Sequence, residues 1–360
     1  MSLLPTSVPV NFSTADVFGD RNDTDYTWCP SVNLKEWHFT LIPVYSLLIS
    51  VVGIVLNMFV MMVFFLHKKA CTMAEIYLSN MAAADFILMA FLPFWAVYAA
   101  NKFNWIFANP LCSLVSLSIS MNTYCSIYFL VLISIDRYMA LVHPLSQEGM
   151  RRPKYAKLGC LLVWCFGLFL NVPTLVYREV RYFDSSNVHM CYLNYPNVTI
   201  QLLCEGMQTT FGFIVPISII SFCTVRIIQA LNNRLVVQFN TKKVEHKATT
   251  LMLAVLLAFM ICWVPFHVVK IIILLVYAGV LTDCTLIGNL HTCNNIFMYI
   301  AFFNSVLNPI LYVIVGKNFR KKVRELFTQL NTNRTTTFNT MSTSIRSNML
   351  RSGQTINPSM

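Results

Sequence analysis

Seven apolar runs, each long enough to cross a bilayer, leave this chain few ways to fold. They lie at roughly Thr40–Leu66, Glu75–Ala100, Pro110–Val142, Leu158–Tyr177, Ile200–Leu231, His246–Tyr277 and Leu286–Val315. About 20 apolar residues span the hydrocarbon layer; the longer runs therefore predict tilt or projection beyond the lipid. No water reaches backbone groups at that depth, so the runs are expected as helices. Composition agrees, since 56% of the 360 residues are hydrophobic and only 11% are charged, against about 25% charged in soluble domains. The predicted fold is an all-α membrane protein, a seven-transmembrane-helix bundle. Pro43, Pro93, Pro173, Pro216, Pro265 and Pro309 fall inside the runs, which bundled helices tolerate because neighbours and water re-satisfy the freed backbone.

Lys and Arg set the orientation. Lys68 and Lys69 follow the first run; Arg151, Arg152, Lys154 and Lys157 follow the third; Arg234, Lys242 and Lys243 follow the fifth; Lys317, Arg320, Lys321, Lys322 and Arg324 follow the seventh. The opposite loops hold Lys102, Arg178 and Arg181. The C-terminus is thus expected in the cytoplasm and the N-terminus outside, on a multi-pass protein of the plasma membrane. The net charge of +11 is mostly an inner-face property; it points to anionic lipid and cytoplasmic partners, not nucleic acid.

This topology divides the chain. Residues 1–39 form an extracellular glycosylated segment, 40–315 the bundle, 316–328 an amphipathic cytoplasmic eighth helix, and 329–360 a disordered cytoplasmic tail. The first segment lacks a basic start before an apolar core, so no cleavable signal peptide is expected. Asn11, Asn22 and Asn197 open sequons on exterior segments. Phe319, Val323, Leu326 and Phe327 share one helical face, as an interfacial helix requires. Thr335, Thr336, Thr337, Thr340, Ser342, Thr343 and Ser344 make a phosphorylation cluster in the Ser/Thr/Asn-rich tail. Of twelve cysteines, most lie within runs and read as small buried hydrophobes. Cys29, Cys112, Cys191 and Cys284 are exterior, where oxidising conditions permit the pairs Cys112–Cys191 and Cys29–Cys284. The alternative for Cys29 and Cys284 is free thiols or another partner.

Ionisable residues in hydrocarbon are costly and read as functional. Asp85 is the only acid deep in a run, with Asn57, Asn122, Ser126, Asn304, Ser305 and Asn308 at comparable depth. The group reads either as a small aqueous cluster with bound Na⁺ or as hydrogen-bonding glue between helices. Asp136-Arg137-Tyr138 closes the third run and Asn308-Pro309-Ile310-Leu311-Tyr312 the seventh. Glu245 opens the sixth at the level of Arg137, and a salt bridge between them would clamp two helix ends; its other reading is a solvated residue near Lys242, Lys243 and Lys247. Cys262-Trp263-Val264-Pro265 pairs a large aromatic with a helix breaker.

On the third and seventh of seven segments, these two motifs resemble the rhodopsin-like G-protein-coupled receptors. The resemblance implies a G-protein partner, arrestin and receptor kinases acting on the tail, and a sodium site of Asp85, Ser126, Asn304, Ser305 and Asn308. It implies an activation switch of Asp136, Arg137, Tyr138, Glu245, Trp263, Pro265, Asn308, Pro309 and Tyr312. Within that family, Glu75-Ile76-Tyr77-Leu78-Ser79-Asn80, Leu92-Pro93-Phe94-Trp95-Ala96, Ser120-Met121-Asn122 and Tyr312-Val313-Ile314-Val315-Gly316-Lys317 resemble the bradykinin (kinin) receptors, with Ser120 as in the subtype for intact kinins. This implies a short cationic extracellular peptide, Gq coupling, phospholipase C and calcium release. The ligand-facing set is then Trp95, Ser120, Asn122, Arg178, Glu205, Trp263, Phe266 and His291, with Arg178 on the ligand's carboxylate. Three kinin-receptor acids are missing: Ile273, His291 and Gln201 stand in their places, which leaves a variant kinin held through Glu205 or Asp283, or another peptide, angiotensin-like or chemokine-like.

Other classes fit poorly. An opsin needs a lysine in the seventh run, and Leu286–Val315 has none. A transporter would carry internal repeats. An enzyme would need more than Asp85. A non-signalling scavenging receptor stays open as an alternative: Asp136-Arg137-Tyr138 argues against it, while Thr224 stands where many members of the family it resembles carry an activating tyrosine.

Overall fold

Each apolar run is helical in the computed structural model, which describes residues 38–67, 71–143, 153–184, 187–234, 242–281 and 284–329. The helices are α1 (His38–Leu66), α2 (Met73–Ala100), α3 (Asn109–Val142), α4 (Pro153–Leu170), α5, α6 (Lys242–Tyr277) and α7 (Cys284–Ile314). The rod α5 has three parts: Val198–Thr209, a π turn at Thr210–Ile214, and Val215–Arg234. A further helix, α8, covers 317–329. Seven of these helices are long and apolar enough to cross a membrane.

Local chemistry sets the starts. Thr72 caps α2 in a capping box: its hydroxyl accepts from Glu75 N while the Glu75 carboxylate accepts from Thr72 N. Pro110 occupies the first turn of α3, where no donor is needed. Asn197 caps α5, its Oδ1 accepting from Ile200 N at 2.8 Å. Pro43, Pro93, Pro265 and Pro309 lie inside α1, α2, α6 and α7 without ending them.

The helices are apolar nearly all round, as lipid contact demands. α3 is the axis of the bundle, with 56% of its central window buried against 28% for α4. The core follows from this: Phe129, Leu130, Ile127, Phe259, Trp263 and Tyr312 interlock from α3, α6 and α7. Leu48, Val51, Leu161, Leu203 and Ile261 stand outward.

Two expectations need correction. The fourth run was expected unbroken to Tyr177, but α4 stops at Leu170 and a short helix, Val172–Tyr177, follows. Pro173 has no N–H for Phe169 O and its ring crowds that carbonyl; the chain bends at Asn171, whose Nδ2 donates to Gly167 O at 2.8 Å. The segment between the fourth and fifth runs, expected as plain loop, is an antiparallel hairpin of β1 (Arg178–Phe183) and β2 (Val188–Leu193). Alternation over Arg178–Phe183 and Val188–Leu193 around a polar turn was the available signal.

Candidate functional site

Three polar groups occur at three depths. The first is central. Asp85 is fully buried, with Oδ1 accepting from Asn122 Nδ2 at 2.7 Å and Oδ2 from Asn308 Nδ2 at 3.0 Å. Ser305 Oγ reaches Asn122 Oδ1 at 3.5 Å, and Asn57 Nδ2 bridges Gly53 O and Ser305 O. Thus α1, α2, α3 and α7 are tied through amides around one carboxylate. Asn122, expected to face ligand, directs its amide to Asp85 instead. Ser126 Oγ, Asn304 Oδ1 and Asn308 Oδ1 are buried with no hydrogen-bond partner among the described residues. A carboxylate with spare hydroxyl and amide oxygens is a donor set for a hard cation.

The second group lies at the hairpin end. A disulfide joins Cys112 of α3 to Cys191 of β2. Trp105 N donates to His189 O at 2.7 Å and His189 N to Asn104 Oδ1 at 2.9 Å, so the turn after α2 holds the hairpin too. Arg178 opens β1 beneath this flap. The residue is half-buried, but its Nε is enclosed and unpartnered among the described residues. Burial lowers its pKa below the ordinary guanidinium value, against the opposing pull of Tyr98 and Tyr195. Arginine does not shed its proton in proteins, so Arg178 carries its charge with Nε enclosed and unpartnered among the described residues. Burial raises the Tyr195 phenol, with Glu205 next in effect and Arg178 opposing; Tyr195 therefore lies within electrostatic reach of both charges. Ser120 Oγ donates to Ser116 O at 3.0 Å. Trp95 Nε1 donates to Tyr299 OH at 3.3 Å, and Tyr45 OH to Tyr299 O at 2.8 Å.

Deeper in this half, Trp263 is buried with Nε1 unpartnered among the described residues. It stacks near Phe259 and meets Phe266 edge-on at 6.0 Å. His267, one residue on, was missed by sequence reasoning. It stacks on Phe213 with centroids 4.0 Å apart, is 5% exposed, and has neither ring nitrogen bonded among the described residues. Only a helical offset of four from Trp263 marked it.

The third group lies at the α8 end, around a cavity of about 390 Å³ lined by Glu75, Asp136, Arg137, Leu251, Tyr312 and Lys317 among others. Asp136 Oδ2 accepts from Arg137 Nε at 3.0 Å and also from its Nη2. Tyr138 OH meets His143 Nε2 at 3.2 Å. Tyr312 is 1% exposed and packs against Phe319 of α8. Two contacts, both unforeseen, fasten α8: the ion pair of Lys322 Nζ with Glu75 at 2.9 Å and a side-chain hydrogen bond between His67 Nε2 and Glu325 at 3.0 Å. Pro265 and Pro309 lie within α6 and α7.

The remaining expected residues lie partly or wholly outside the description. Glu245, His291 and Cys284 are on helices α6 and α7, but their side chains are not among those described. Asn11, Asn22, Cys29, Asp283 and the tail hydroxyls lie outside the described residues; Asn197 is exposed.

Residues 56–312 match the family described as 7 transmembrane receptor (rhodopsin family). The B2 bradykinin receptor of Mus musculus is 44% identical over 301 residues, covering 83% of this chain and 77% of that protein. The B2 bradykinin receptor of Homo sapiens is 42% identical over the same shares. The type-1 angiotensin II receptor B of Rattus norvegicus is 33% identical over 300 residues, covering 83% of each.

Proposed function

Because this chain belongs to the rhodopsin family of seven-transmembrane receptors, and so is a G-protein-coupled receptor rather than an enzyme, we propose that it receives a bradykinin-like peptide at the cell surface. The signal passes through Gq-class G proteins to phospholipase C and calcium release. The hairpin end faces outward and the α8 end faces the cytoplasm, in keeping with the lysines and arginines around α8.

One observation carries the ligand assignment: the enclosed Arg178 guanidinium, with Nε unpartnered among the described residues. It takes the ligand's terminal carboxylate. Glu205 lies one turn along α5 from Gln201 and receives a cationic group of the peptide. A charge-assisted hydrogen bond contributes about 1.5–3 kcal/mol, so Glu205 offsets one of the three acids missing at Ile273, His291 and Gln201. Trp95, Ser120, Trp263, Phe266 and His291 complete the ligand-facing set. The B2 bradykinin receptors, at 42–44% identity, support a kinin.

Sodium binds at Asp85 in the resting state, with Ser126, Asn304, Ser305 and Asn308 as oxygen donors; the cation neutralises a carboxylate otherwise buried among amides. On activation the inner end of α6 leaves α3. Arg137, held by Asp136 at rest while lining the cavity, is then freed as the cavity widens to take the tail of a G protein. Receptor kinases and arrestin act on the tail hydroxyls, inner-leaflet lipid holds α8, and Asn11, Asn22 and Asn197 carry glycans.

The test is calcium release in cells expressing the chain, challenged with bradykinin and related kinins. A response that Arg178→Ala abolishes at equal surface density is expected. Silence to every kinin, with a response to another peptide class, would reassign the ligand.

A further inference from the structure

The π turn of α5 leaves the Phe211 carbonyl without a helical donor. Val215 N donates to Thr210 O across the wide π ring; in an α ring it would have served Phe211 O. The next nitrogen belongs to Pro216 and carries no hydrogen. Phe211 is 45% exposed on the outside of the bundle, where lipid offers its carbonyl nothing. Tyr128 of α3 fills the gap, its hydroxyl donating to Phe211 O at 2.6 Å. One turn away, Tyr124 lies so close to Gly212 that a Cβ there would sit 2.5 Å from its ring. Two tyrosines of α3, four residues apart, thus clasp the π turn from one side.

The turn fixes how the rest of α5 faces. A π turn holds one residue more than an α turn, so return to α register would rotate Val198–Thr209 by about 100°. Gln208, whose Nε2 reaches Leu170 O at 3.2 Å, would leave its acceptor, and Glu205 would turn with it. We propose that Tyr128 is a positioning residue for ligand binding, its hydroxyl replacing the donor that Phe211 O lacks and thereby setting which side chains of Val198–Thr209 face the interior of the bundle at its hairpin end. The inference rests on the reading of that end as the peptide site, but the register itself is measurable without a ligand.

Single cysteines at 201 through 206, in a chain with Cys165, Cys204 and Cys293 changed to serine, are exposed on whole cells to a charged, membrane-impermeant thiol reagent. Gln201→Cys and Glu205→Cys are expected to react, and Leu203→Cys, 67% exposed on the lipid side, is not. Adding Tyr128→Phe moves the reactive set by one residue, to 202 and 206. The half-maximal bradykinin concentration for calcium release then rises about tenfold at equal surface density, the size of one lost charge-assisted contact. An unmoved set at native surface density would overturn the proposal. If Tyr128→Phe alone does not reach the surface, Pro216→Ala is added, which restores a donor at 216. Recovery to the level of Pro216→Ala alone is expected, and continued loss would overturn the proposal. If bradykinin is silent on every variant, the kinin reading fails while the labelled register still decides this one.

Discussion

Removing the Lys322 ammonium should loosen α8 and lower stability by more than a surface pair would allow. Its Nζ lies 2.9 Å from Glu75 Oε2, with the two side chains only 12% and 11% exposed. Exposed ion pairs contribute about 0–1 kcal/mol, whereas charged hydrogen bonds contribute about 1.5–3 kcal/mol; the low exposure places this pair with the second group. The same carboxylate oxygen also accepts from Thr72 N at 2.8 Å, so Glu75 has two duties and Lys322 one. Lys322→Met keeps the aliphatic stem but removes the ion pair and the weaker cation–π contact of the ammonium, 5.8 Å from the Phe64 ring centroid. Glu75→Ala removes the pair and the capping box, costing about 0.5–2 kcal/mol more. At about 2 °C per kcal/mol for a chain of this size, Lys322→Met lowers the midpoint of thermal unfolding in detergent by about 3–6 °C. The deciding measurement is the double-mutant cycle of Glu75→Ala and Lys322→Met. Coupling of about 1.5–3 kcal/mol is expected. Additive effects, with coupling below about 0.5 kcal/mol, would show that the two groups do not depend on each other. Lys321→Met is the internal control: its ammonium is 3.9 Å from Glu325 and 74% exposed, and its loss should be nearly silent.

Gly316→Ala should sharply reduce surface density, because its Cβ would lie 2.3 Å from the Tyr312 carbonyl oxygen, a backbone atom with little room to move; Gly206→Ala, with nothing within 4 Å, should be harmless or gain up to about 1 kcal/mol of helix propensity. His267→Phe keeps the ring stack on Phe213 and removes two nitrogens unpartnered among the described residues, so it should stabilise the receptor by about 1–3 kcal/mol; a drop in stability would mean those nitrogens already have partners. Asp85→Asn should abolish the dependence of agonist affinity on Na⁺ concentration, and an unchanged dependence would remove the ion from the Asp85 cluster.

What the sequence made legible was whatever a single position has to answer for. An apolar run must cross lipid, a carboxylate at Asp85 must find donors, and an arginine such as Arg137 must find a negative partner, as it does in Asp136. Those costs are local, and they placed the seven helices and most of the polar cluster. What stayed hidden were partnerships between distant residues. Lys322 and Glu75 are 247 positions apart, and each alone reads as an ordinary charge near a helix end. Pro216 was visible as a helix breaker, but five-residue turns do not follow from a proline alone. The bulge at Thr210–Ile214 also needs a glycine that Tyr124 can lie against and a hydroxyl from Tyr128, 83 residues before the carbonyl it meets. Asn122 shows the same limit from the other side. Depth along α3 made it equally fit for ligand or for Asp85, and only the rotation of α3 against α2 decides, turning its amide to the carboxylate at 2.7 Å. Rotation about a helix axis is the quantity that an apolar run leaves unspecified, because a helix greasy on every side has no preferred face. In this chain that freedom is removed by a few polar bonds between helices, which is why losing a single tyrosine hydroxyl is expected to move a register rather than merely weaken a contact.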